Sequence, residues 1–152
     1  MHHHPYKERR PGLGGHRRSP DPRGPGDRPP RGHDPGREGW GIERADLAGA
    51  HLEAAHLFFS HLEGANLEGA FLERANLRGT HLEMAHLHDA RLAGAKLLQA
   101  NLDNAILDQA DLGSVTYWKM IAGIRRASIS DLENPPDGFV EWAKEHGAVA
   151  DT

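Results

Sequence analysis

From Leu47 to Leu112 a leucine stands at every fifth residue without a break: Leu47, Leu52, Leu57, Leu62, Leu67, Leu72, Leu77, Leu82, Leu87, Leu92, Leu97, Leu102, Leu107 and Leu112. Two residues before each leucine sits a small one, alanine at most positions, with Ser60 and Thr80 among the exceptions. No regular element can use this period. On an α-helix a step of five turns the side chain about 140° past a full revolution, which smears the leucines around the whole circumference. On a continuous strand an odd step sends successive leucines to opposite faces.

A backbone that turns a corner once per unit resolves the conflict. Small–polar–Leu reads as a short extended stretch pointing in, out and in. The next two residues bend the chain and restore the inward phase for the following unit. Gly49, Gly64, Gly69, Gly79, Gly94 and Asn104 occupy the last position of their units, where a bend needs a permissive residue. The pattern therefore predicts an all-β solenoid whose coils bury their inner side chains against one another. Leucine-rich repeats are excluded by their period of roughly 20–29 residues.

The units ADLAG, ANLEG, ANLRG, ANLDN and ADLGS resemble the A-(D/N)-L-x-x signature of the pentapeptide-repeat family. The resemblance implies a right-handed quadrilateral β-helix with four units per coil. WGIER and VTYWK continue the phase on either flank, with Ile42 and Tyr117 in the central slot. After a two-residue insertion, Met120–Ile121, AGIRR and ASISD resume with Ile124 and Ile129 central. The sum is a column of about four and a half coils, roughly 20 Å tall at the spacing of paired strands.

Such a column exposes apolar core and open strand edges at both ends. Trp40 is placed to shield the first coil, and NPPDGFVEWAKEHGA predicts a capping helix near residues 136–146. Phe139, Trp142, Ala143 and His146 fall on one face of that helix, the face expected to lie on the last coil. Contact with a second copy through this C-terminal segment is the competing use, so monomer and homodimer both stand. The expected organisation is a tail at 1–39, the repeat column at 40–131 and the cap at 132–152.

Charge divides along the same line. Residues 1–39 carry 9 Lys/Arg against 5 Asp/Glu, and 16 of them are Gly or Pro, too little apolar surface to form a core. This predicts a disordered basic tail, opening with His2, His3 and His4, able at most to touch nucleic acid non-specifically. Residues 40–152 carry 9 Lys/Arg against 17 Asp/Glu. The absence of cysteine excludes disulfides and thiolate chemistry, and no apolar run approaches a membrane span. The expectation is a cytoplasmic protein with no membrane contact.

No nucleophile–base pair, phosphate loop or metalloprotease motif occurs, so neither an enzyme nor a cofactor is expected. Residues twenty apart should stack, which places Glu43, Glu63, Glu83 and Asp103 in one column beside His61, His81 and Asn101. His61, His81, Glu63 and Glu83 are the candidates should a zinc-like ion bind, although outward histidines are ordinarily just solvated. Phe58 and Leu98 share another column with Arg78 between them, and Phe59 adjoins it. These apolar residues, with Glu43, Glu63, Glu83 and Asp103, are the candidate partner contacts. The reading is a rigid protein-interaction scaffold with an unidentified protein partner. The family resemblance supplies the alternative, a mimic of DNA that binds DNA gyrase.

Overall fold

A computed structural model describes residues 42–151. The expectations for the basic tail and Trp40 lie outside these residues. The described chain is a β-helix of single-residue strands, followed by a 3-10 turn at Trp118–Met120 and one short helix, α1, Phe139–Glu145. Parallel bridges link residues twenty apart from Asp46↔Asn66 through Lys96↔Thr116, so four units close one coil and the cross-section is quadrilateral.

Each unit solves its backbone hydrogen bonds in the same way. The small residue closes a turn on the leucine three positions earlier, as in Ala50 N to Leu47 O at 3.0 Å. The third turn residue carries positive φ, from 55° at Ala54 to 72° at Gly94 along the repeat, the geometry of a type II turn. The polar residue then donates to the previous coil (Asn66 N to Ala45 O, 2.8 Å) and accepts from it as well (Leu47 N to Asn66 O, 2.7 Å). The corner residue donates along the axis, Gly49 N to Glu68 O at 2.8 Å.

The remaining N–H, that of the residue after leucine, explains the Asp/Asn preference of the signature. A side-chain oxygen two residues back accepts it: Asn66 Oδ1 from Glu68 (3.1 Å), Asn76 from Arg78 (3.2 Å), Asn101 from Asp103 (3.0 Å) and Asp111 from Gly113 (2.9 Å). This Asx turn satisfies a donor that the coil ladder leaves over.

The core is a stack of leucines and alanines, with the every-fifth leucines from Leu62 to Leu112 exposed by no more than 2%. Each buried leucine contributes on the order of 1.5–3 kcal/mol. Leu47, Leu52 and Leu57 differ from the expectation of full burial. They are half-buried, as is Ile42, because no described coil lies beyond the first one.

A second difference concerns VTYWK. Val115 and Thr116 keep the phase, but Tyr117 has φ 57° and is 55% exposed rather than central. Trp118 turns to the core in its place, opening the 3-10 turn. The register then lengthens to twenty-two at Asn101↔Gly123, with Gln99 N already donating to Met120 O. The two extra residues thus lie just after Thr116, not at Met120–Ile121. Ile124 and Ile129 are buried as expected.

Helix α1 is shorter than the stretch 136–146. Phe139 N donates to Pro136 O and Gly138 takes φ 79°, so the prolines shape a turn that delivers the chain to the helix. Phe139 and Ala143 are buried in the same cluster as Ile124 and Ile129, while His146 stays exposed, its ring stacked on Trp142. Beyond α1, Val149 bridges Ser128 and adds a further layer on one corner. Among the described residues, no helix is long and apolar enough to cross a membrane.

Candidate functional site

The bridges define four outer faces. The first carries Asp46, Asn66, His86, Ile106 and Ser128; the second His51, Phe71, Arg91, Asp111 and Glu133; the third His56, Asn76, Lys96 and Thr116; the fourth His61, His81, Asn101 and Gly123. Where this slot holds His, Phe, Arg, Lys or Ile, the Asx turn is given up. The backbone of these residues keeps its place in the ladder, and their side chains are free to display other chemistry.

On the fourth face the expected His/Glu set is assembled. His61 and His81 stack at 4.6 Å with planes 4° apart. His61 Nδ1 lies 3.0 Å from Glu63 Oε1 and His81 Nδ1 lies 3.2 Å from Glu83 Oε1. Asn101 Nδ2 donates to Glu83 at 2.8 Å, and Asp103 accepts from Arg125 N at 2.8 Å. Gly123 is the last bridged residue of this face, and a Cβ there would meet Asn101 Oδ1 and Asp103 Oδ1 at 2.5 Å.

His61, Glu63 and His81 offer ligand atoms within 4.8 Å of one another. Imidazole binds a metal through an in-plane lone pair. Two stacked rings with centroids 4.6 Å apart and planes within 4° of parallel do not aim their in-plane lone pairs at one ion unless a ring rotates, and both Nδ1 atoms already face carboxylates. Glu63 and Glu83 each keep one buried oxygen without a hydrogen-bond partner, but Glu73, which has no such histidine pair, does the same. That feature belongs to the slot rather than to a metal site.

The second face holds an open groove of about 460 Å³, lined by Glu73, Asp89, Arg91, Gln109, Asp111 and Glu133. Arg91 lies over the Phe71 ring at 4.9 Å, and that ring stacks on His51 at 4.6 Å. The hydrogen bond from His51 holds the Glu53 carboxyl below its ordinary range.

The third face gathers Phe58 and Phe59, each 48% exposed, with Arg78, Lys96, Leu98 and Tyr117. Phe59 and Phe58 meet edge to face at 6.2 Å. The Phe59 ring rests on Gly79, where an added Cβ would lie 2.5 Å from it. Arg78, Lys96, Leu98, Tyr117 and Asn76 line a shallow depression of about 200 Å³. The candidate partner contacts thus divide: Phe58, Phe59 and Leu98 stand on the third face, and Glu43, Glu63, Glu83 and Asp103 on the adjoining fourth. Lys96 and Tyr117 are not among the partner contacts expected from sequence, which assigns Tyr117 to the central slot. Lys96 lies twenty residues after Asn76 and so stacks on this face, whereas Tyr117 turns outward only through the break in its unit.

The pentapeptide-repeat model (8 copies) matches residues 43–73, 55–92 and 85–115. A pentapeptide-repeat protein of Nostoc PCC 7120 is 31% identical over 73% of this chain and 84% of its own, with a TM-score of 0.39. The chain is a pentapeptide-repeat protein. Another pentapeptide-repeat protein, from the thylakoid lumen of Arabidopsis thaliana, is 26% identical over 68% of this chain and 74% of its own, TM-score 0.35. QnrB1, a plasmid-mediated fluoroquinolone resistance protein, is 20% identical over 74% of this chain and 65% of its own, TM-score 0.50, a likeness of fold. No curated protein matches. In this pentapeptide-repeat protein the signature residues thus serve the coil ladder, and the departures from the signature populate its faces.

Proposed function

We propose that this pentapeptide-repeat protein is a non-enzymatic scaffold in the cytoplasm that binds a protein partner through its third face. The observation that carries the reading is the concentration of apolar groups there, exposed Phe58, Phe59 and Tyr117 beside half-buried Leu98, on a backbone fixed by hydrogen bonds in every unit. Clustered apolar groups on a rigid support lose little conformational entropy on binding, the usual makings of a contact centre. The C-terminal segment, packed against Ile124 and Ile129, leaves the patch uncovered.

Affinity capture with the full chain tests this. Phe58→Ser combined with Leu98→Ser should release the partner while leaving melting within about 0.5 kcal/mol of the parent, because both side chains are outward. An identical set of captured proteins would overturn the reading.

Mimicry of DNA toward DNA gyrase is the second reading, supported by the excess of 17 acids over 9 bases in residues 40–152 and by the fold shared with QnrB1. It is the weaker one because the fourth-face carboxylates are drawn inward: the side chains of Glu63, Glu83 and Asp103 are only 24%, 25% and 18% exposed. Protection of gyrase supercoiling by the purified protein would favour it; no effect at high micromolar concentration would dismiss it.

A further inference from the structure

The third face differs from the others in charge as well as in apolarity. Each of the other three carries a file of carboxylates: Asp46, Glu68, Asp89 and Asp108 on the first, Glu53, Glu73, Asp111 and Glu133 on the second, Glu43, Glu63, Glu83 and Asp103 on the fourth. Among the described residues the third face has none. It presents Arg78 and Lys96, with Lys119 following in the 3-10 turn, and neither Arg78 nor Lys96 is in an ion pair with a described residue. Arg78 instead lies 5.8 Å from the Phe59 ring centre, and Lys96 borders the depression with Leu98 in its lining. A carboxylate-free strip bearing unpaired cations and apolar groups, on an otherwise acidic prism, is complementary to a ligand with anionic and apolar side chains in alternation.

Resting on the scaffold reading, we infer that this face docks an extended acidic segment of a partner protein, whose carboxylates meet Arg78 and Lys96 while its apolar side chains cover Leu98, Phe58 and Phe59. The dimensions fit. From Phe58 to Tyr117 the face crosses three coil spacings, about 14 Å, which an extended peptide covers with roughly five residues. A nucleic-acid strand suits the face less well, because the carboxylate files of the second and fourth faces flank the strip and repel a continuous run of phosphates. The protein's own residues 1–39 carry a net charge of the same sign as the strip, 9 bases against 5 acids, and do not complement it.

The test is amide NMR on the full chain, titrated with a synthetic peptide of roughly eight residues alternating Asp with Leu, its Lys-for-Asp counterpart, and a thymidine oligonucleotide of similar length. The Asp peptide should shift amides of residues 76–79, 96–99 and 116–120 and bind ~10-fold more tightly than the Lys peptide. Arg78→Glu with Lys96→Glu should weaken it ~10-fold without altering melting. Equal binding of both peptides, shifts confined to another face, or tighter binding of the oligonucleotide would overturn the inference. So would self-association on sedimentation that the charge reversals abolish, which would make a second copy the occupant. The two readings fail differently. Loss of the captured partner on Phe58→Ser/Leu98→Ser but not on Arg78→Glu/Lys96→Glu removes the acidic segment and leaves the scaffold; no change with either pair removes both.

Discussion

At the residue scale, the Asp or Asn of the signature works for the backbone. Asn76 Oδ1 receives the Arg78 N–H, so Asn76→Ala should lower stability by about 0.5–1.5 kcal/mol, measured by chemical denaturation. Corner residues are constrained differently. Gly69 has φ 62° and open space around its missing Cβ, so Gly69→Ala isolates backbone strain, with an expected cost of about 1–2 kcal/mol in the same measurement. Leucine against its neighbour gives the sharpest contrast. Leu77 is fully buried and Arg78 exposed; Leu77→Asp should unfold the surrounding coils, whereas Arg78→Asp should barely move the melting temperature. The period of five made this inward phase legible from sequence. The role of Asp and Asn was not, because it depends on an N–H that becomes surplus only once the neighbouring coils have claimed the others.

At the element scale, the cap is an aromatic cluster. Trp118 meets both Phe139 and Trp142 with ring centres 5.6 Å apart, joining the 3-10 turn to α1. Phe139 is 1% exposed, so Phe139→Ala should cost about 3–5 kcal/mol and release the last coil first, seen as early loss of tryptophan near-ultraviolet dichroism on heating. The sequence placed an apolar helical face here but misplaced the insertion before it. Counting from Val115 to Ile124 reveals two surplus residues without locating them. Tyr117 and Trp118 are both aromatic, and which turns inward is decided by α1, which supplies the rings that Trp118 packs against.

At the scale of the whole molecule, coils touch only their neighbours, so stability is a sum along the axis. The ends are unequal: α1 and Val149 close one, while Ile42, Leu47, Leu52 and Leu57 are half-buried at the other. Hydrogen exchange should therefore be fastest in residues 42–61 and slowest between Leu62 and Leu112. Uniform protection along the column would contradict nearest-neighbour coupling.

The twenty-residue register also constrains how such a chain can change its length. Duplicating one quintet between Phe58 and Glu73 would rotate everything downstream by a quarter turn, setting Glu73 above Phe58 and carrying Arg78 and Lys96 round to the adjoining side. Only a gain or loss of four quintets together lengthens or shortens the column while keeping each side's chemistry aligned. The two surplus residues after Thr116 escape this rule because they are spent in a local 3-10 excursion, after which Gly123 still falls beneath Asn101.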